Sequence, residues 1–212
     1  MVLLLFGAPG CGKGTQGQMI LDWLSVKIPA ISTGEMLRAE MAAGTALGAE
    51  SKAVVAAGGL VQDGLVNRLL EARVNRRDCD EGFLLDGYPR TIEQADFLDG
   101  LLDRRGLPAP LVIHLDVPFD VLIGRMLCRR QCGECAIMFN ILSKRPKVPG
   151  RCDECGGPLI IRRDDREEVI RERLRTYEAQ TRPVLSHYSS GNYFKIGADR
   201  SPAYIFKAIT AV

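Results

Sequence analysis

The sequence has no apolar run long enough to span a bilayer; its longest runs are about half that length. No charged-then-apolar leader with a cleavage site opens it, and the first apolar run starts at Val2. The expectation is a cytoplasmic chain with no targeting segment and no membrane partner. Charge of one sign is also missing. Twenty-eight Lys and Arg against 26 Asp and Glu leave a net charge of +2, which argues against a broad nucleic-acid-binding field. Aromatic residues are only 6% of the chain, and there are two histidines. His114 reads as structural within a strand and His187 as a surface residue, and neither is assigned to catalysis. No internal repeat or low-complexity tract is visible.

The 212 residues suffice for one domain, with or without inserts, and for a sizeable core. Apolar residues at 46% and charged ones at 25% are ordinary for a soluble protein. Seven cysteines look at first like a disulfide set. Their odd number and missing leader argue otherwise. Cys11, Cys79 and Cys128 are scattered, with Cys11 read as a filler in the glycine-rich turn, whereas Cys132, Cys135, Cys152 and Cys155 form two tight pairs.

Short continuous apolar runs at Val2–Phe6, in "PAISTGEM", in "GFLLDG", in "LVIHLDV" and in "YFKIG" read as five strands. The segments between them carry helical texture. One helix runs from the glycine-rich turn to about Ser25, and two modest helices flank Gly44, the second ending at Gly58-Gly59. Asp63 is read as the cap of a helix to about Arg76, and Thr91 opens another to Arg104. Pro118 starts a helix expected to carry Arg125 and Arg129, one turn apart on one face. A long charged helix is expected from about Asp164 to Gln180, continuing past or kinking at Pro183, with Arg162 and Arg173 on a shared face. Ser32 with Glu35, and Thr91 with Gln94, have capping-box spacing. Buried strands alternating with helices specify a doubly wound α/β sheet, covered on both faces. Residues 131–162 lack that texture and read as a cysteine-rich insert.

Gly7-x-x-x-x-Gly12-Lys13, between a buried strand and a helix, is phosphate-loop spacing. Glycines let the backbone N–H groups turn inward, the helix start adds its positive dipole end, and Lys13 reaches outer phosphates. Gly14 replaces the usual hydroxyl residue, and Thr15 follows it.

The stretches "GAPGCGKGTQ", "ISTGEMLR", "GFLLDGYPRTIEQA", "GRMLCRR" and "RRDDREEVIRERLRTY", in this order and separation, resemble the adenylate kinase family over essentially the whole chain. The resemblance implies a five-stranded sheet of the phosphate-loop kinase type with a zinc-binding lid insert. It implies reversible phosphoryl transfer from Mg-ATP to AMP, giving two ADP, by a monomer. Gly7, Gly10, Gly12, Lys13, Gly14 and Thr15 would hold ATP together with Arg125 and Arg129. Arg38 and Arg90 would hold the acceptor phosphate, while Arg125, Arg129, Arg162 and Arg173 would close over the transferring group. Thr33, the Gly87 carbonyl and Gln94 would recognise the acceptor adenine, Arg162 and Arg173 would also face AMP, and Asp86 would orient magnesium through water. Asp164 and Asp165 would cap a helix start and brace the lid hinge. Planar guanidinium forks suit phosphate, and a dissociative transfer needs little general base. The implied parts are residues 1–31, 62–129 and 163–212 as core, 32–61 as an acceptor-binding segment and 130–162 as the lid.

Cys132-x2-Cys135-x16-Cys152-x2-Cys155 falls within the spacing of a four-thiolate zinc site, and four protein ligands make such a metal structural. Arg129 and Arg162 frame this insert, where some adenylate kinases carry a zinc-stiffened lid. Ala136 stands where a glycine often follows the second cysteine, whereas Gly156 keeps it in the other knuckle. A non-enzymatic nucleotide sensor would share these motifs, but the full set of arginines makes that reading unnecessary. Two rivals remain. One is a kinase for another nucleoside monophosphate. The other is a phosphate-loop ATPase whose knuckles hold nucleic acid, for which Phe139 is the only aromatic residue beside Lys144, Arg145, Lys147 and Arg151.

Overall fold

A computed structural model describes residues 1–212. Its core is a five-stranded sheet in the order β2-β3-β1-β4-β8, formed by Val2–Phe6 (β1), Ala30–Ser32 (β2), Phe83–Asp86 (β3), Leu111–Asp116 (β4) and Tyr193–Gly197 (β8). Every pairing in it is parallel. Central β1 is buried at every position, and its alternation divides the core into two layers. Val2, Leu4 and Phe6 join one apolar cluster, and Leu3 and Leu5 join the other. Leu4, Leu84 and Leu85 are fully enclosed, so truncating any of them to Ala costs about 2–5 kcal/mol.

Helices cover both faces: Lys13–Trp23 (α1), Thr33–Ala43 (α2), Ala46–Ala56 (α3), Asp63–Val74 (α4), Ile92–Arg104 (α5), Phe119–Leu127 (α6), Glu167–Thr176 (α7), Val184–Tyr188 (α8) and Pro202–Ile209 (α9). Ser32 caps α2 by accepting the Glu35 N–H at 3.4 Å, and Thr91 caps α5 by accepting the Gln94 N–H at 3.2 Å. No helix is long and apolar enough to cross a membrane.

Several local expectations are corrected. Helix α6 stops at Leu127, so Arg129 is not on its face but opens a strand. The expected long charged helix is broken into a 3-10 turn at Arg163–Asp165, α7, a wide turn at Tyr177–Thr181 and α8. Arg162 precedes all of these and shares no helix with Arg173. Arg166, rather than Asp164 or Asp165, occupies the position before α7. Asp63 is the first residue of α4 rather than its cap, and its carboxylate faces α5 instead.

The cysteine-rich insert is more ordered than its composition suggests. Arg129–Cys132 (β5), Met138–Asn140 (β6) and Leu159–Ile160 (β7) form an antiparallel sheet in the order β6-β5-β7. Its small apolar centre is Cys132, Phe139 and Cys152.

Candidate active site and metal centre

The carboxyl ends of β1 and β3 lie side by side, since Leu5 pairs with Asp86. Ligand sites of open parallel sheets form at such ends. Beyond β1 the chain turns through Gly7, Gly10 and Gly12, with φ of 142°, 86° and 104°. A side chain at Gly7 is doubly excluded, because a Cβ there would lie 2.5 Å from Cys11 Sγ in a conformation L residues avoid. Gly12 precedes α1 without a side-chain cap, so the first N–H groups of that helix are left for an anion. Lys13 Nζ donates to the carbonyls of Gly7 at 2.7 Å and Ala8 at 3.1 Å, which holds the ammonium over the loop.

Asp86 projects from the end of β3 toward the same turn; a Cβ on Gly14 would sit 3.6 Å from its Oδ2. Gly14 and this carboxylate are thus near neighbours, and Thr15 supplies a hydroxyl residue on the next position. Carboxylate, hydroxyl and phosphate oxygens are the donor set that magnesium takes.

Arg125 reaches the donor side of the loop. It donates to the carbonyl of Ala198 at 2.9 Å and more weakly to that of Cys11 at 3.4 Å. Gln16 ties α1 to the same connection by donating to the Pro202 carbonyl at 3.0 Å.

Three other arginines meet on a pair of buried acids. Arg162 and Arg173 both reach Asp164 Oδ2, at 2.8 and 2.9 Å. Arg129 is paired through two nitrogens with Asp165, whose side chain is wholly enclosed and which Arg173 also approaches at 3.3 Å. Burial would push the Asp164 carboxyl up, but Arg173, Arg162 and Arg129 outweigh it and hold the group below its ordinary value. Burial pulls Arg173 down to about 10, with Arg129 and Arg162 adding to the effect against Asp164. Arg38 is likewise brought to about 10 by burial and then by Arg162. Both remain cationic at neutral pH. Burial is the main cause of both values, and repulsion among the arginines adds to it; a phosphate group would offset that repulsion.

Thr33, Gly87, Arg90 and Gln94 form one connected patch. Thr33 Oγ1 donates to the Gly87 carbonyl at 3.0 Å, and Arg90 Nε donates to the same oxygen at 2.7 Å. Gln94 Oε1 accepts the Arg90 backbone N–H at 2.7 Å. The Gln94 amide is thus not the reciprocal half of a capping box with Thr91. Burial lowers the Arg90 guanidinium, opposed by Asp86 and Asp164, which places this side chain between the β3 end and the arginine cluster. A Cβ at Gly34 would fall 3.3 Å from Arg38 Nη1 and 3.8 Å from Arg90 Nη2, so these two arginines converge over Gly34.

The four paired cysteines come together, with all their Sγ atoms within 4.8 Å of one another. Cys132 and Cys155 are 3.4 Å apart, and Cys135 and Cys152 are 3.5 Å apart. Tetrahedral zinc with thiolates at about 2.3 Å puts its sulfurs about 3.8 Å from each other, so the cluster fits that ion. The backbone N–H groups of Cys135 and Glu134 face Cys132 Sγ and bring its thiol down, whereas hydrogen bonds from the neighbouring thiols hold Cys155 up, so the four sulfurs share their protons as one cluster. In the first knuckle Ala136 adopts a left-handed φ of 61°, where Gly156 of the second has 73°. Each donates its N–H back to the carbonyl of the first cysteine of its pair, Cys132 or Cys152. Phe139 is buried beneath Lys144 rather than presented to a base, so the knuckles offer no aromatic stacking platform.

Two positioning residues carry no recognisable signal of that role in the sequence. Asn140 donates to the Arg125 carbonyl at 3.0 Å, joining β6 of the cysteine-rich insert to the end of α6. Asp63 resembles a cap because acidic residues favour helix starts, a local signal that says nothing of α5. His114 is held between Tyr193 at 2.7 Å and Tyr177 at 3.5 Å, a structural setting. His187 is half-buried against Asp99 at 2.7 Å rather than free on the surface.

A parallel sheet that ends in a phosphate loop, opposite converging arginines, defines a nucleotide-handling protein of the phosphate-loop class. The family model described as adenylate kinase matches residues 5–193. A curated adenylate kinase of Thermodesulfovibrio yellowstonii is 45% identical over 213 residues, spanning 100% of this chain and 98% of the relative. Those of Methanosarcina acetivorans and Syntrophomonas wolfei are 44% and 40% identical, over 89% and 99% of this chain and 86% and 97% of their own lengths. The chain belongs to the adenylate kinase family, which are nucleoside monophosphate kinases and hence transferases.

Proposed function

We propose that this chain transfers the terminal phosphoryl group of Mg-ATP to AMP, reversibly, giving two ADP. The observation that carries this reading is the meeting of Arg129, Arg162 and Arg173 on Asp164 and Asp165, with Arg38 and Arg90 converging over Gly34. Charge in such a transfer spreads over equatorial oxygens, and fixed cations stabilise it more than any base does. Gly7, Gly10, Gly12, Gly14 and Thr15 hold the donor phosphates with Lys13, and Arg125 braces the loop from the donor side. Arg38 and Arg90 hold the acceptor phosphate, while Thr33, Gly87 and Gln94 read its base. Arg129, Arg162 and Arg173 exchange part of their contact with Asp164 and Asp165 for the transferring group. Magnesium, held near Asp86 and Thr15, supplies charge neutralisation on the phosphates when bound.

Zinc on Cys132, Cys135, Cys152 and Cys155 supplies the folding energy that the small lid core lacks. Residues 130–162 then move as a rigid lid over the core formed by 1–31, 62–129 and 163–212, while 32–61 closes from the acceptor side. Closure draws on segments of one chain, which supports a monomer as the functional unit, with the cytoplasm as its expected compartment.

The direct test measures ADP formation from Mg-ATP with AMP, GMP, CMP or UMP in turn, beside a control lacking acceptor. Fast turnover with AMP alone supports the assignment. Equal turnover with another monophosphate replaces the acceptor base, and acceptor-independent hydrolysis refutes the transferase reading at this site.

A further inference from the structure

Gln94 is buried, and its amide is gripped from both ends. Nε2 donates to Asp63 Oδ1 at 2.6 Å, while Oε1 accepts the Arg90 N–H at 2.7 Å. The second oxygen of Asp63 accepts the Thr91 hydroxyl at 2.6 Å, and that hydroxyl oxygen accepts the Gln94 backbone N–H at 3.2 Å. A carboxylate can only accept and a backbone N–H can only donate. Both contacts therefore demand the same orientation of the amide, and turning it over would set oxygen against oxygen and N–H against N–H. One Nε2 hydrogen and one Oε1 lone pair remain without a protein partner.

That order has consequences for a purine. At the exocyclic position adenine carries an amino donor and guanine a carbonyl acceptor. An amide free to turn would satisfy either base by exchanging its two ends. A fixed amide that accepts from the adenine amino group opposes guanine with two facing acceptors.

We propose that Asp63 is a specificity-determining positioning residue, which locks the Gln94 amide in the order that reads adenine and rejects guanine. Asp63 need not touch the nucleotide; its effect passes through Gln94. The inference rests on the reading of Gln94 as the acceptor-base contact.

The test uses the full chain, with kcat and KM for AMP and for GMP at saturating Mg-ATP, in wild type, Asp63→Ala, Asp63→Asn and Gln94→Ala. In Asp63→Asn the side chain keeps its size but offers an N–H as well as a carbonyl, so position 63 no longer opposes a turned amide and only the Arg90 N–H still does. The AMP-to-GMP ratio of kcat/KM is expected to fall about tenfold in both Asp63 variants, the value of one misdirected hydrogen bond. The change should sit in KM for AMP, with KM for ATP unmoved. A melting measurement identifies any Asp63→Ala protein that fails to fold, and Asp63→Asn then decides the matter. If both folded Asp63 variants keep the wild-type ratio while Gln94→Ala loses it, the lock is refuted and the base contact stands. If Gln94→Ala itself keeps the ratio, the base contact is refuted and the lock falls with it.

Discussion

Arg90 combines burial with a tie to Gly87, and both bear on what its removal does. Its Nε donates to the Gly87 carbonyl, but Thr33 donates to the same oxygen, so that carbonyl keeps a partner when Arg90 is lost. Arg90→Ala is expected to lower kcat by about a hundredfold to a thousandfold, the usual cost of one fixed charge-stabilising donor, while the melting temperature changes little. Steady-state kinetics beside a thermal melt check this, and near-normal turnover would remove Arg90 from the site. Ala136 is a separate, purely conformational case. Its left-handed φ of 61° strains an L residue, whereas glycine there relieves the strain and gives back part of the gain as chain entropy. Ala136→Gly should stabilise the metal-bound lid by about 0.5–1 kcal/mol, read as slower loss of metal to a chelator. The strain was legible in the sequence because Ala136 and Gly156 occupy matching places in the two knuckles. The partners of Asp63 were not, because helix-start preference is local and the contact to Gln94 spans 31 residues.

At the scale of elements, the antiparallel sheet of the cysteine-rich insert hangs on little apolar burial. Its centre is Cys132, Phe139 and Cys152, with Ile137 and Leu159 packed against them, and two of those three are the proposed metal ligands. Zinc removal by a chelator, or Cys152→Ser, should therefore loosen residues 131–162 while the parallel sheet and its layers stay folded. Hydrogen exchange resolved by segment, with zinc content per chain, measures both halves of that expectation. Protection in β5, β6 and β7 that survives full metal loss would overturn it. The lid is also where periodicity misleads. Arg125 and Arg129 have perfect one-turn spacing, yet α6 ends at Leu127 because the chain must enter β5, which pairs with β6 and β7. Arg162 and Arg173 are spaced as if on one helix, but they meet instead through Asp164, across a 3-10 turn. The family resemblance made the grouping of the charges legible, and the backbone that achieves it was not, since the ion pairs and strand pairings that set it join residues brought together only by the fold.

For the molecule as a whole, the five strands stand out in the sequence as short apolar runs, and each run found is a strand; β1, β3 and β4 at the centre are the buried ones, whereas β2 and β8 at the edges are partly exposed. That sheet also carries a pH limit that its strands alone do not reveal. His114 lies within β4, buried between Tyr193 and Tyr177; burial lowers its pKa, and Lys195, Arg182 and Lys13 add to this against Asp116. Above the unfolded histidine value of about 6.5, folded and unfolded chains are both neutral at this site. As the pH falls below it, the unfolded chain takes up the proton first, so folding stability declines until the lower folded pKa is passed. Asp164 acts in the same direction in a more acidic window. Its folded pKa is depressed, so its contribution is complete above the unfolded value of about 3.9 and disappears as the pH falls through the folded one. The melting temperature should thus fall in two stages on acidification, the first below about pH 6.5 and the second below about pH 4. His114→Asn keeps a neutral polar group in the strand and should flatten the first stage alone, leaving the second in place. Thermal melts of both proteins across that range test the assignment, and an unchanged first stage in His114→Asn would overturn it.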